Sequence, residues 1–109
     1  MPLSEPSEGE TPPIMDIDRV IHAPARLLIL SLLYVVESGD YVFLMRQTGL
    51  TWGNLSTHMT KLEKAGYVEV VKEFVDRKPH TMAKLTPDGR RAFDEYRTSM
   101  KRVLEGVPG

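Results

Sequence analysis

The residues of this chain best suited to bind a partner lie between positions 51 and 65, in the stretch TWGNLSTHMTKLEKA. At about 100° per residue, Leu55, Met59 and Leu62 fall on one face of a helix, which should pack on a core. The opposite side presents small polar and basic residues, which are Gly53, Asn54, Thr57, Thr60, Lys61 and Lys64, with Ser56 beside them and Thr51 as N-cap.

This polar face has chemistry suited to a nucleic acid. The Asn54 amide both donates and accepts hydrogen bonds and can therefore read a base edge, and Gly53 would allow close approach of the backbone. Lys61 and Lys64 are suited to phosphates, which position a protein without reading sequence. The alternative is an ordinary hydrated helix face.

A second basic element follows at once. Positions 67–75 show β-type alternation, DRKPH (76–80) is expected to be a turn, and Thr81–Leu85 is expected to be the returning strand. The resulting hairpin carries Arg77 and Lys78 near its tip, with His80 bordering the turn. Arginine is favoured in narrow minor grooves, although basic residues in a turn are also common on any surface.

Catalytic and metal-binding chemistry is not evident. The sequence has no cysteine, which excludes a disulfide, a thiol nucleophile and a Cys-based metal site. Its three histidines, His22, His58 and His80, are far apart, and His58 is expected to be structural. There is no Gly-rich phosphate loop, nucleophile elbow or His-Glu-x-x-His motif. We therefore expect no enzymatic activity, no cofactor and no metal.

The helices that must position these groups are indicated by apolar spacing and by Pro and Gly. The pattern predicts a lead-in helix at Ile14–His22 and a second helix at Ala25–Ser38, stopped by Gly39. An extended or strand segment at Asp40–Val42, a short helix at Phe43–Thr48 that ends at Gly49, and a long helix from Thr86 to about Leu104 are predicted to follow. The three residues of TGL then join a short helix to the polar-faced helix, as in a helix-turn-helix.

The second helix, with its interior LLILSLLYVV, is apolar almost all round. A domain of 109 residues can hardly cover such a helix on all sides, so we expect part of it to meet a second subunit. The alternative is a central helix wrapped by its own domain. The expected dimer residues on this helix and the last one are Leu28, Leu32, Val35, Phe93, Tyr96, Met100 and Val103.

The charges are segregated along the chain. Residues 1–18 hold five acids and no cation, whereas residues 19–109 hold all 14 Lys and Arg against the other 10 acids, which leaves +4. Residues 1–13 are expected to be a disordered acidic tail, and residues 14–105 a single domain. No secretory signal or apolar run of about 20 residues is present, so a cytoplasmic protein without a membrane partner is expected.

The chain resembles the winged helix-turn-helix domains of prokaryotic transcriptional regulators related to the MarR and ArsR groups. The matching stretches are IDRVIHAPARLLILSLL (17–33), TGLTWGNLSTHMTKLEKAGYVEV (48–70) and RKPHTMAKLTPDGRRAFDEY (77–96). The resemblance implies a mainly α fold with a small antiparallel β-hairpin, in which Thr51–Ala65 is the recognition helix and Tyr67–Leu85 the wing. It also implies a homodimer, joined by its N- and C-terminal helices, on palindromic DNA.

These observations favour a sequence-specific, homodimeric transcriptional regulator that binds double-stranded DNA. The alternative is a winged-helix module that docks on another protein and does not bind DNA, which the modest +4 charge of the folded part leaves open. A small-molecule effector is compatible with either function, but the sequence gives no evidence for one.

Overall fold

The computed structural model describes residues 17–106 and confirms a mainly α fold with an antiparallel hairpin. The predicted tail, residues 1–13, lies outside the described residues. In chain order the elements are α1 (Pro24–Val36), β1 (Ser38–Asp40), α2 (Tyr41–Thr48), α3 (Trp52–Lys64), β2 (Val68–Val75), β3 (Lys78–Leu85) and α4 (Pro87–Glu105). The three strands form one antiparallel sheet in the order β1-β3-β2.

The helix-turn-helix formed by α2 and α3 has well-defined ends. The Asp40 carboxylate accepts the backbone N–H of Phe43 at 2.7 Å and caps α2, while Gly49 ends that helix with a φ of 73°. The Thr51 hydroxyl then accepts the backbone N–H of Asn54 at 3.2 Å and caps α3. Three residues therefore suffice to turn the chain, as the sequence predicted.

The predicted lead-in helix at Ile14–His22 is wrong over its described part. Residues 17–22 form a turn, in which the carboxylate of Asp18 accepts the backbone N–H groups of Val20 at 2.8 Å and Ile21 at 3.2 Å. A short acidic side chain that binds its own backbone in this way competes with helix formation. Residues 14–16 are outside the described range.

The end of α1 also differs from the prediction. The helix stops at Val36 rather than at Gly39, and Glu37 follows with a φ of 70°. Gly39 instead lies in β1, which pairs with residues 82–84 of β3. A Cβ on Gly39 would come within 2.9 Å of the Phe43 ring, so the glycine is required by packing rather than by helix termination.

The hairpin is longer and its turn shorter than the sequence suggested. β2 and β3 stay in register from Val68 opposite Leu85 to Val75 opposite Lys78, and only Asp76 and Arg77 form the turn, with φ values of 51° and 65°. Two consecutive positive φ angles match the tight turn that suits strand twist. The predicted turn at 76–80 is therefore wrong at its last three positions, which belong to β3. Pro79 is tolerated there because β1 does not extend that far along β3.

The core lies between the helices and the inner half of the sheet. Leu30, Leu33, Leu44, Leu55, Met59 and Leu62 are among its fully buried side chains. The N-terminus of α4 closes one end, because the Thr86 hydroxyl donates to the Gly66 carbonyl at 2.6 Å and the Thr86 N–H donates to the Tyr67 carbonyl at 3.1 Å. These bonds fix the base of the hairpin against the body of the domain. Within residues 17–106 no helix combines the length and apolar character needed to cross a membrane.

Candidate nucleic-acid interface

The polar face predicted for 51–65 is exposed in α3. Leu55, Met59 and Leu62 are fully buried and anchor the helix, as their spacing predicted. Ser56 is half-buried, and the Thr51 cap is exposed. We call the exposed remainder the outward face, which comprises Gly53, Asn54, Thr57, Thr60, Lys61 and Lys64.

Two hydroxyl groups of the outward face already donate hydrogen bonds to backbone carbonyls within α3. Thr57 donates to the Gly53 carbonyl and Thr60 donates to the Ser56 carbonyl, each at 2.9 Å. What these threonines still offer a partner is a methyl group and an oxygen that can accept. The Asn54 amide, by contrast, makes no side-chain hydrogen bond to another described residue and keeps both its donor and its acceptor functions.

The hairpin lies along one flank of α3. A cavity of about 240 Å³ separates the two elements, with Trp52, Ser56 and Thr60 among its lining residues on the helix and Lys72 and Thr81 on the strands. The half-exposed Trp52 ring packs on Tyr41 with ring centroids 5.1 Å apart. Burial, and secondarily the nearby Glu63 carboxylate, raise the pKa of Tyr41. The hairpin thus lies beside the outward face of α3 without covering it.

The basic residues of the hairpin divide into two positions. Arg77 is in the two-residue turn and Lys78 begins β3, and both are exposed. His80 lies further in, where it is half-buried and lines a second cavity together with Trp52 and Thr81. Only the first two residues are therefore at the tip, whereas His80 is closer to α3.

Two arginines that the sequence analysis did not single out join the opposite flank of α3. Arg19 and Arg26 lie with Lys61 and Lys64 around a shallow cavity of about 400 Å³. We call these four side chains the cation cluster. Arg19 and Arg26 are more than thirty positions away from the two lysines in the chain, so their proximity is a product of the tertiary fold that local spacing does not reveal.

Arg26 is the member of the cation cluster with the most internal contacts. Its Nε donates to the Val20 carbonyl at 2.5 Å, its Nη2 lies 3.5 Å from the Arg19 carbonyl, and its Nη1 lies 3.3 Å from Nδ1 of His58. Burial, then Arg26 and Lys61, lower the pKa of His58. The neutral form of His58 is thereby favoured, and its Nδ1 is placed to accept from the guanidinium. His58 thus has a structural hydrogen bond, as the sequence analysis expected.

The seven residues expected at a dimer interface separate by burial. On α1, Leu28 and Val35 are 46% and 78% exposed, and Leu32 is half-buried. On α4, Phe93 and Tyr96 are only 7% and 6% exposed, and Met100 and Val103 are half-buried against the core.

Burial therefore places Phe93 and Tyr96 in the core of the chain itself rather than on its surface, because the apolar stripe of α4 docks that helix. The Tyr96 hydroxyl, for example, lies 2.9 Å from Nδ1 of His22. Leu104, 67% exposed, is the apolar surface residue of α4 that the stripe did not include.

Metal ligation has no candidate among residues 17–106. No group of three or more His, Asp or Glu side chains is close enough there to hold an ion. The three histidines lie instead against Tyr96, against Arg26 and in the hairpin, respectively.

Comparison with known proteins agrees with this geometry. Residues 25–104 match the family model described as "Winged helix DNA-binding domain". An uncharacterized protein of Methanocaldococcus jannaschii is 37% identical over 78 residues, which are 72% of this chain and 85% of that protein.

Two solved structures extend the comparison. The transcriptional regulator homologue protein of Pyrococcus horikoshii OT3 is 30% identical, with a TM-score of 0.78 over 85% of this chain and 91% of that one. A MarR family transcriptional regulator from Silicibacter pomeroyi shares the fold at 22% identity, with a TM-score of 0.58 over 82% of this chain and 62% of that one. The chain therefore belongs to the winged helix DNA-binding domain family.

Proposed function

We propose that the protein is a sequence-specific transcriptional regulator that inserts α3 into the major groove of DNA. The observation that carries this proposal is the outward face of α3, which is exposed, presents the short side chains of Gly53, Asn54 and Thr57, and is bordered by the cation cluster on one side. The major groove is about 12 Å wide and admits one helix whose outer side chains are short. Because regulators act on the chromosome, we place the protein in the cytoplasm.

Within the groove, the residues of α3 take different roles. Asn54 reads a base edge, since its amide is unengaged within the described residues, and Thr57 offers a methyl group and an acceptor oxygen. Gly53 admits the sugar-phosphate backbone or a base edge to the helix, because a Cβ there would meet nothing of the protein within 4 Å. Lys61 and Lys64 bind phosphates. Thr51, Ser56 and Thr60 complete the polar surface.

The wing supplies a second contact. Arg77 and Lys78 at its exposed tip bind the DNA backbone or enter the adjacent minor groove, as expected of exposed cations on a hairpin. His80 lies in the gap between wing and α3 and contacts the duplex only where the DNA backbone enters that gap.

We also propose that the protein acts as a homodimer. Leu28 and Val35 on α1 and Leu104 on α4 are apolar and exposed, so they are available to a second copy. Leu32, Met100 and Val103 would line the edges of this interface. A two-fold dimer presents two recognition helices about 34 Å apart, one turn of DNA, and so binds a palindrome. A small-molecule effector remains compatible with this dimer, but no described residue calls for one.

The experiment that tests the function is an unbiased selection of duplexes by the purified protein, followed by affinity measurements over a salt series. A single enriched motif with two-fold symmetry, whose log K falls linearly with log salt, is expected. A matched duplex with scrambled half-sites controls for non-specific binding. If no duplex binds even at about 50 mM salt, the protein is instead the interaction module that docks on another protein through its exposed apolar surface.

A further inference from the structure

The two flanks of α3 are chemically different. At about 100° per residue from Leu55, the side that faces the wing lies between about 60° and 140°. It carries Trp52, Ser56, Thr60 and the acidic Glu63. The side that faces the turn before α1 lies between about 180° and 280°, where Lys64, Lys61 and Ala65 line the other cavity. The outward face, whose members Lys61 and Lys64 also belong to the cation cluster, is therefore bordered by the wing on one side and by Arg19 and Arg26 on the other.

We infer that the cation cluster is a binding site for a phosphodiester group of the DNA backbone, on the side of α3 opposite the wing, with Arg19 and Arg26 as its new members. This inference rests on the proposed function and extends it to the turn before α1. The duplex would then be held at three places, which are the cation cluster, the outward face and the wing tip.

The balance of charge at this site argues for an anionic partner. The six residues that line the cavity include four cations and no acid, with Val20 and Ala65 as the other two. Among residues 17–106, the ion pairs use Arg90, Arg91 and Lys101, so none of them neutralises the cluster. Four cationic residues with no acid among the lining residues make the local potential positive, which favours an anionic ligand.

The two acidic residues nearest to the cation cluster in the chain, Asp18 and Glu63, make their contacts elsewhere. Asp18 accepts the N–H groups of Val20 and Ile21 and the hydroxyl hydrogen of Tyr67, which keeps its carboxylate engaged. Glu63 lines the cavity on the wing side of α3. Neither carboxylate is among the residues that line the cavity, so no acidic side chain pairs with the cluster there.

The guanidinium of Arg26 is preorganised for a fixed ligand. Its contacts with the Val20 carbonyl and His58 leave further N–H groups of the same planar fork unused. Arg19 is exposed, and within residues 17–106 its side chain makes no hydrogen bond or ion pair, so it is able to close over a bound group. A planar fork beside a point charge such as Lys64 is well matched to the oxygens of a phosphate.

The test compares Arg19→Ala and Arg19→Glu with the matched controls Arg102→Ala and Arg102→Glu. Arg102 is also exposed, but it lies near the C-terminal end of α4 and outside the cluster. On the selected duplex, Arg19→Ala should weaken binding several-fold for every sequence and reduce the slope of log K against log salt by about 0.9, the value for one phosphate contact. Arg19→Glu should weaken binding further, and the Arg102 pair should match the wild type.

A duplex series with one methylphosphonate at a time then locates the contact. The wild-type protein should lose affinity at one neutralised phosphate in each half-site, and Arg19→Ala should suffer no further loss at that phosphate. Titration with inorganic phosphate distinguishes a site for a free anion. If that ion binds the wild-type protein, fails to bind Arg19→Ala, and the two bind DNA equally, the site serves a soluble anion and the assignment to DNA is wrong.

The remaining outcomes separate this inference from the proposed function. If the wild-type protein binds its duplex and the Arg19 variants behave like the Arg102 controls, the phosphate site is refuted while the regulator stands. If the wild-type protein binds no duplex, both are refuted together.

Discussion

The Tyr67 hydroxyl donates a hydrogen bond to the Asp18 carboxylate, across 49 positions of the chain. The same carboxylate accepts two backbone N–H groups of the turn before α1. Tyr67 also stands between α3 and β2, and its carbonyl accepts the N–H of Thr86 at the start of α4. One residue thus joins the junction of helix and wing to the N-terminal turn and to the last helix.

The first prediction concerns the alkaline limit of stability. Burial, followed by the hydrogen bond and charge of Asp18, raises the pKa of Tyr67 from 10.0 to about 12. The unfolded chain therefore loses this proton at a lower pH than the folded protein does. The contribution of the Tyr67 hydroxyl to the free energy of unfolding is fully present below pH 10 and is lost as the pH rises to about 12. Urea unfolding at several pH values between 8 and 12 measures this decline.

Tyr67→Phe provides the control for that measurement. The variant should be less stable than the wild type at pH 8 by about 1–2 kcal/mol, because it lacks one hydrogen bond to a charged acceptor. The stability difference between the two proteins should shrink above pH 10, since other titrating groups are common to both. A difference that stays constant up to pH 12 would show that Tyr67 does not keep its proton in the folded state.

The second prediction contrasts two glycines near the starts of helices. At Gly89 in α4, a Cβ would overlap the Tyr67 carbonyl, so Gly89→Ala should destabilise the fold by about 2 kcal/mol or more. At Gly53 in α3 the same atom meets only open space, and Gly53→Ala should leave stability unchanged or raise it by up to about 1 kcal/mol. Thermal unfolding with calorimetry checks both values.

The effect of Gly53→Ala on DNA binding should run opposite to its effect on stability. If the backbone of α3 approaches the duplex closely at this position, the added methyl group should weaken binding about tenfold although the helix itself is firmer. Fluorescence anisotropy with the selected duplex measures this. Unchanged affinity would place Gly53 outside the contact surface.

Much of this helix-turn-helix was predictable because its signals are local. Gly49 and Thr51 act through their immediate neighbours, and the buried face of α3 follows from a spacing of three and four residues. The Asp40 cap was not predicted: Asp40–Val42 was expected to be extended, whereas α2 already begins at Tyr41. The turn at 17–22 and the two-residue turn of the hairpin were missed. In the first, the Asp18 side chain replaces helical bonding; in the second, two non-glycine residues adopt positive φ angles.

The site was less predictable than the fold. Sequence spacing identified the outward face of α3, because one helix carries all of it. The cation cluster depends on how the turn before α1 packs against α3, and the burial of Phe93 and Tyr96 depends on where α4 docks. An amphipathic stripe has the same pattern whether it covers its own core or meets a partner, so spacing alone does not separate the two.

The third prediction separates base contacts from phosphate contacts. Asn54→Ala should relax sequence preference at particular positions of the site, at a cost of about 1–3 kcal/mol against the preferred base. Arg77→Ala with Lys78→Ala should instead weaken all duplexes alike and reduce the salt slope by about one unit per lost contact. Binding of the selected motif and of variants with one changed base pair distinguishes these outcomes. If Asn54→Ala also weakens all duplexes alike, Asn54 contacts a phosphate rather than a base, and if it changes no affinity, Asn54 faces solvent.

The fourth prediction addresses the dimer. Val35→Glu places a charge at a position that is 78% exposed on the protomer, so the monomer should remain folded while the proposed interface is lost. Light scattering coupled to size exclusion at tens of micromolar should report a dimer for the wild type and a monomer for the variant. Val42→Glu on α2, at a valine that is 52% exposed, is the matched control and should stay dimeric. A monomeric wild type would refute the interface.

The short strand β1 supports only the inner part of β3, so the two halves of the hairpin should differ in stiffness. It pairs with β3 only at residues 82–84, whereas residues 78–81 of β3 pair with β2 alone. In the inner half of the hairpin, β3 is thus paired along both of its edges, and the outer half is a two-stranded ribbon. If the wing contacts DNA as proposed, bending at Thr81 would let the tip follow grooves of different width without moving the core, and one domain would then accept DNA sites that differ in local shape.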